Sequence, residues 1–385
     1  MSDKESSDKP FRAHHIGMTT DFMGRDDPVN VIISGSPGRT EAIYEMLHML
    51  GTRRWVETER KLPIGAELLE ISIDNNEEIL PPDPNRKRDP YKLRSVPIIV
   101  ATSGMGFGST EIVTQEVIET FVRSLVELIE RLGASTDSTH RRQLNLIRAG
   151  TCGSHQPFVY GGDLVIATDT YVPFGGISDF ISTPHDEIAH HLKLAGLLAA
   201  EKTLKYARRS SAVEKGDSIT DAALEIVRYQ LAKAEVVRSY SCSDELVLCC
   251  KDAARTLGLE QKIIHAGPVF SKLTLSSECY KDFTAQPDEL RKLRLDYRSK
   301  VMHSEGIYCS EMEIGLMTAI ALQARQRGYN VRVGGVMAVV NNPRNPEDRG
   351  ATEFFANDRI IKKAVDRAIN VALYAAAHSY MNARM

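Results

Sequence analysis

The sequence predicts an α/β protein, a sheet with helices on its faces, and three observations predict it. Short apolar runs bounded by small residues recur along the chain, longer stretches of helical period lie between them, and the two alternate. The runs cover 29–35, 96–102, 145–150, 163–168, 263–270 and 331–340. They are apolar without strict alternation, as strands buried on both faces are.

Taken in order, the chain opens on a polar stretch, M-S-D-K-E-S-S-D-K-P, which reads as a short tail over 1–13. The strand at 29–35 runs into a helix expected over 41–50. Residues 74–95 are dense in Pro and charge and suggest an exposed loop between two strands. Over 111–132, Val113, Val117, Phe121, Leu125, Leu128 and Leu132 fall at three- and four-residue steps, and Gly133 ends the helix. Residues 186–238 carry two amphipathic patterns, 187–209 and 218–238, with no strand signal between them. They read as a helical hairpin added to the sheet. Ile314, Met317, Ile320 and Ala324 mark a helix over 311–327, with Gly328 as its cap.

Length and composition bound the function. With 385 residues the chain has room for two domains or one enlarged domain. Its 48 basic and 51 acidic residues leave a net charge of −3, too balanced for a dedicated nucleic-acid binder. Hydrophobic residues at 42% can build a core. No apolar run approaches the roughly 18 residues of a membrane span, and the polar opening stretch, without an apolar h-region, is not expected to be a secretory leader. Six cysteines without a repeating spacing suggest reduced thiols, so a cytoplasmic location is expected. His190 and His191 are adjacent on a helix and face different ways, so no metal site is expected there.

Four segments carry chemistry. In I-S-G-S-P-G-R-T (33–40), Gly35 and Gly38 allow close approach of backbone N–H groups to an anion, and Arg39 offers a fork of donors. A tight turn explains the same glycines equally well. A-T-S-G-M-G-F-G-S-T (101–110) repeats the strand, glycine and helix order. In I-R-A-G-T-C-G-S (147–154), Arg148 occupies an apolar strand, where it needs an anion, either an acidic side chain of the protein or a bound phosphate. In Y-C-S-E-M-E-I-G (308–315), Glu311 and Glu313 sit at a helix start, where capping is the simplest role. Two residues apart, they cannot share a helical face, so one points toward the crevice at the strand ends.

Together these segments resemble the nucleoside phosphorylase family, its uridine phosphorylase branch above all. H-H-I-G-M-T (14–19) is similar to that branch's H-L-G-L-T string, and S-G-S-P-G-R (34–39) to its P-G-D-P-D-R phosphate loop. A-T-S-G-M-G-F-G-S-T resembles C-S-T-G-I-G-G-P-S-T, R-A-G-T-C-G (148–153) resembles R-I-G-T-T-G, and S-E-M-E-I (310–314) resembles Y-E-M-E-S. The resemblance covers most of the strands and leaves the tail, the 74–95 loop and the 186–238 hairpin unmatched. It implies a three-layer α-β-α fold with a central twisted mixed sheet, one domain over 14–385.

The resemblance also implies roles. Gly35, Arg39, Arg148 and Thr151 would cradle phosphate, with Arg60, in T-E-R-K-L (58–62), as a further arginine. Met312 and Glu313 would hold the ribose, and His15 would contact its far end. His15 and Arg60 would come from a neighbouring subunit, which implies a homodimer with shared sites. The base would meet Gly153, Tyr280, Gln286 and Arg291, although the family's Q-x-R spacing is lost here. The last strand ends V-V-N-N (339–342), with Asn342 where adenosine-cleaving relatives keep an Asp. Lys61 stands where bacterial members keep a Glu tied to a monovalent cation, and its ammonium is expected to replace that ion. The implied reaction is phosphorolysis of uridine or a related nucleoside to base and ribose 1-phosphate. Phosphate is then a co-substrate, and no cofactor, membrane or nucleic acid is required. A 6-oxopurine nucleoside, a hydrolytic nucleosidase and a catalytically silent nucleoside-binding subunit are the competing readings. Cys152, Cys279 and Cys309 fall near these residues, either as buried apolar groups or as a pair able to form a disulfide.

Overall fold

The computed structural model describes residues 11–23, 28–50, 66–74, 93–132, 142–172, 184–210, 218–235, 238–272, 300–341 and 358–383. Among them, nine strands belong to one sheet. They are β1 (Val29–Ser34), β2 (Ala66–Asp74), β3 (Leu93–Thr102), β4 (Gln143–Ser154), β5 (Leu164–Val172), β6 (Arg238–Ser241), β7 (Ile264–Ser271), β8 (Cys309–Glu311) and β9 (Asn330–Asn341). The helices are α1 (Pro37–Leu50), α2 (Phe107–Leu132), α3 (Pro184–Ser210), α4 (Ser218–Glu235), α5 (Asp244–Thr256), α6 (Ile314–Gln326) and α7 (Asp358–Asn382).

All six strands expected from the sequence are present. Three more, β2, β6 and β8, complete the sheet. β2 and β3 pair antiparallel, from Ala66 opposite Ala101 to Asp74 opposite Leu93. The Pro-rich loop therefore joins two strands, and Asp74 and residues 93–95 belong to the strands rather than to the loop; 75–92 lies outside the described residues. The inserted helices α3 and α4 pack on each other, Arg228 Nε lying 3.7 Å from Glu201 Oε1. Residue 238 is not helical, as the sequence suggested, but opens β6, which pairs with β5. The polar tail is also shorter than expected: Ala13 is buried, and its N–H donates to the Met18 carbonyl at 2.7 Å.

Pairing makes the sheet more than a twisted layer. β1 runs parallel to β3 on one side and to β4 on the other. Beyond that, β4 pairs with β9, β9 with β5, β5 with β7, β7 with β8, and β8 returns to β4. These five strands close a ring, which removes free edges from the centre of the molecule. Helices cover both faces. Two successive glycines of β9 show this: a Cβ on Gly334 would lie 2.8 Å from Leu246 Cβ of α5, while one on Gly335 would strike Ile314 of α6. Adjacent strand residues point to opposite faces, so α5 and α6 flank the sheet from opposite sides.

The site follows from one edge of β4. Along its lower half β4 pairs with β1, ending at Ser34 opposite Ala149. Along its upper half the same edge pairs with the antiparallel β8, with Gly153 opposite Ser310. The C-terminal ends of β1 and β8 thus approach each other across Ala149–Gly153. Such a break in strand order opens a crevice at strand ends.

Candidate active site

Into this crevice the chain delivers two arginines and two carboxylates. α1 begins at Pro37 rather than near Glu41, so Arg39 lies in its first turn. Proline at a helix start loses no hydrogen bond, and the turn before it is fixed by hydroxyls. Ser34 Oγ lies 2.6 Å from Thr40 Oγ1, which lies 2.5 Å from Thr102 Oγ1 at the end of β3. That chain ties the base of α1 to two strand ends and so sets the direction of Arg39.

Arg148 projects from β4 and is 1% exposed. Its Nη2 donates to Glu313 Oε2 at 2.6 Å, and its Nη1 donates to the carbonyls of Ile33 (3.2 Å) and Ala149 (2.9 Å). Of the two anions the sequence left open for Arg148, the protein's own Glu313 is therefore one. Glu313 Oε1 also accepts the N–H of Gly106 at 3.2 Å. Burial disfavours the Glu313 charge, but the Arg148 cation and its hydrogen bond outweigh that and hold the carboxyl below its usual range.

Glycines make the close approach possible. A Cβ on Gly35 would sit 2.8 Å from Arg148 Nη2 and 3.4 Å from Glu313 Oε1. Gly106 has φ +87°, a left-handed conformation open to glycine, and it aims its N–H at Glu313. Gly38, by contrast, has no atom within 4 Å of a would-be Cβ, so space does not demand a glycine there.

Two guanidinium nitrogens in this crevice, Arg39 Nη1 and Arg148 Nε, are buried with no hydrogen-bond partner among the described residues. Burial, and next the nearby Arg148 cation, pull the Arg39 guanidinium down to about 10, with Glu313 acting in the other direction. A buried cation with an orphaned donor is costly, and an anion between the two arginines would relieve both terms.

Glu311 and Glu313 divide their work differently from a shared helix start. Glu311 ends β8, and its Oε2 accepts the N–H groups of Glu313 (2.6 Å) and Ile314 (2.9 Å), capping α6 from the strand. Its Oε1 takes the hydroxyl of Ser271, whose oxygen in turn accepts the Gly315 N–H at 2.7 Å. Burial, then the charge of Glu313, raise the Glu311 carboxyl to about 7, while Arg148, Ser271 and the Ile314 N–H pull it back. Met312, between the two, is half-buried with Cε 3.6 Å from a would-be Gly106 Cβ.

Past Arg148, β4 carries Thr151 and Gly153, both half-buried, toward the far end of the crevice. Opposite Gly153 stands Asn341, whose Oδ1 would be 2.5 Å from a Cβ there. Its carboxamide makes no hydrogen bond among the described residues; the sequence pointed to its neighbour Asn342, which lies outside them. Arg60, Lys61, Tyr280, Gln286, Arg291 and Asn342 lie outside the described residues, as does Cys279. The thiols of Cys152 and Cys309 are free and buried; burial first, then the neighbouring Cys152 thiol, push the Cys309 thiol up.

His15 lies on the segment that runs along α2. Its Nδ1 is 2.6 Å from Glu116 Oε1, and its ring is half exposed. Nothing in the sequence near His15 signals this partner, which is 101 residues away.

Residues 31–377 match the phosphorylase superfamily. Among solved structures the chain is similar to a purine nucleoside phosphorylase from Toxoplasma gondii in complex with immucillin-H, with 17% identity, a TM-score of 0.50, and 96% of this chain and 97% of that chain covered. It is also similar to a uridine phosphorylase from Vibrio fischeri ES114 complexed with 6-hydroxy-1-naphthoic acid, with 14% identity, a TM-score of 0.50, and 94% and 96% covered. No curated protein matches the sequence.

Proposed function

The chain belongs to the phosphorylase superfamily, and from that premise we propose that it is a nucleoside phosphorylase, a pentosyltransferase cleaving uridine or a related pyrimidine nucleoside with inorganic phosphate. The observation that carries this reading is the pair of buried, orphaned guanidinium nitrogens of Arg39 and Arg148 above the ion pair of Arg148 with Glu313. In this reading Gly35, Arg39, Arg148 and Thr151 bind phosphate, joined by Arg60. Met312 and Glu313 hold the ribose.

A phosphate oxygen forms a bond to the anomeric carbon while the carbon–nitrogen bond breaks, and the base leaves with the bonding electrons and takes a proton. The sugar carries positive charge in between, which the ionised Glu313 favours. The arginines fix and desolvate the nucleophile, so positioning and electrostatics supply the rate and no covalent intermediate forms on the protein. A hydrolytic nucleosidase would have little use for two arginines around a water.

His15 is anchored at Glu116, nine residues into α2 and about 14 Å along that helix from the crevice at its start. That offset supports a homodimer in which His15 serves the ribose of a neighbouring copy. At the base end, Gly153 and Asn341 stand beside Tyr280, Gln286, Arg291 and Asn342 as candidates. The carboxamide of Asn341 fits one second reading, a 6-oxopurine nucleoside, whose neighbouring N7 and O6 acceptors, an edge uracil lacks, match its NH2 donor.

The test incubates purified protein with uridine, thymidine, inosine, guanosine and adenosine, with and without phosphate, and measures free base. Release only with phosphate, fastest from uridine, is the expected result. Release without phosphate, or none from any nucleoside, would refute it.

A further inference from the structure

The segment around His15 is held to α2 at two places on one helical face. Glu116 grips one end and Glu127, three turns further on, grips the other by accepting the Thr20 hydroxyl at 3.0 Å. Between them, Ile16 and Met18 are buried, and Gly17 makes the turn with φ +66°. At the Glu116 end the carboxylate accepts the backbone N–H of His15 (2.9 and 3.0 Å), the N–H of Ile16 (2.9 Å) and the His15 ring (2.6 Å). Partial burial pushes this carboxyl up, but the Ile16 N–H, the His15 ring and the His15 N–H hold it below its usual range. Near neutral pH it is therefore ionised and can only accept.

We propose that Glu116 is a positioning residue for the sugar end of the nucleoside: it keeps the His15 proton on Nδ1 and turns Nε2 outward as an acceptor for a ribose hydroxyl. The proposal rests on the reading of the chain as a nucleoside phosphorylase. The chemistry leaves one arrangement. An acceptor-only carboxylate against Nδ1 requires a donor there, so the neutral ring has its lone pair on Nε2. The backbone bonds to His15 and Ile16 fix the ring's starting point, and the ring of His14, edge-on at 4.7 Å, closes one side. The remaining side is open, the His15 side chain being 51% exposed against 14% for Glu116. Glu116 is thus spent on orienting a group whose working atom faces away from its own chain.

Glu116→Gln separates orientation from packing. The amide oxygen can still accept the two backbone N–H groups, but its NH2 now donates to the ring, which moves the ring proton to Nε2. Protein labelled with 15N-histidine is examined by NMR at a pH where the ring is neutral, His15 being assigned from the His15→Gln spectrum. The unaltered protein is expected to show the Nδ1–H form and Glu116→Gln the Nε2–H form, with an unchanged melting temperature. The nucleoside KM should rise about tenfold while the phosphate KM stays put. An Nε2–H ring in the unaltered protein, or a flipped ring with an unchanged nucleoside KM, would overturn the proposal. A lack of phosphate-dependent base release by the unaltered protein would instead overturn the functional reading beneath it.

Discussion

Arg148 with Glu313 and His15 with Glu116 are two pairs of the same length, 2.6 Å, set in different surroundings. Both reach α2, the first through the Gly106 N–H just before it and the second on its third turn. The first has side chains 2% and 6% exposed; in the second the histidine is half in water. In the buried pair neither charge can be handed to solvent, so each partner is held in place by the cost of losing the other. In the open pair water can replace the His15 ring at small cost, while Glu116, 14% exposed, stays tied to the backbone N–H groups of His15 and Ile16, so the value of the contact with the ring lies in direction rather than in stability. Distance alone does not say what an ion pair does.

The sharpest way to break this contrast is Glu313→Ala. It leaves Arg148 charged and uncompensated in the interior, and urea unfolding should show a loss of about 3–5 kcal/mol. The double variant Arg148→Met/Glu313→Leu should recover much of that stability while remaining inactive. A double variant as unstable as the single one would show that burial of charge is not the controlling cost. Next in size, Gly35→Ala sets a methyl against Arg148 Nη2 and should cost about 1–3 kcal/mol, with a raised phosphate KM.

Glu311 adds a pH dependence of predictable sign. Its carboxyl is raised on folding from 4.5 to about 7, so its contribution to stability is fully present below about 4.5 and is lost as pH rises through about 7. Glu313, held low, behaves oppositely: its contribution is present above 4.5 and lost as pH falls through its depressed value. Between pH 5 and 8 the melting temperature of Glu311→Gln should therefore fall less than that of the unaltered protein. Equal slopes would remove Glu311 from this role. At the small end, Lys262 and Glu260 pair at 2.6 Å in full exposure, and Lys262→Ala should leave the melting temperature where it is.

The strands buried on both faces were legible because their residues are apolar throughout. The strands without a sequence signal have local reasons. β8 is three residues long and β6 is the polar R-S-Y-S, while β2 was implied by the Pro-rich loop between two strands but had no bounds of its own. The C-terminal helix α7 went unread because much of its buried face is alanine, at Ala364, Ala368, Ala372, Ala375 and Ala376, so large side chains trace only part of its period. In the site, Gly35, Arg39, Arg148 and Glu313 stood out as small or charged residues in apolar strings, and the fold brings them together. Glu116 gave no such sign, since an acid on a long helix is ordinary until its partner is known. The sequence alone does not tell which of two adjacent asparagines meets Gly153; Asn341 does, and Asn342 lies outside the described residues.

Calorimetric titration with inorganic phosphate, on the unaltered protein and on Arg39→Met, tests the central claim most directly. Arg39 has a buried donor with no partner among the described residues, so its replacement should leave the fold at least as stable and abolish measurable phosphate binding. Phosphate bound equally well by Arg39→Met, or not bound by the unaltered protein, would contradict the assignment of this crevice to phosphate.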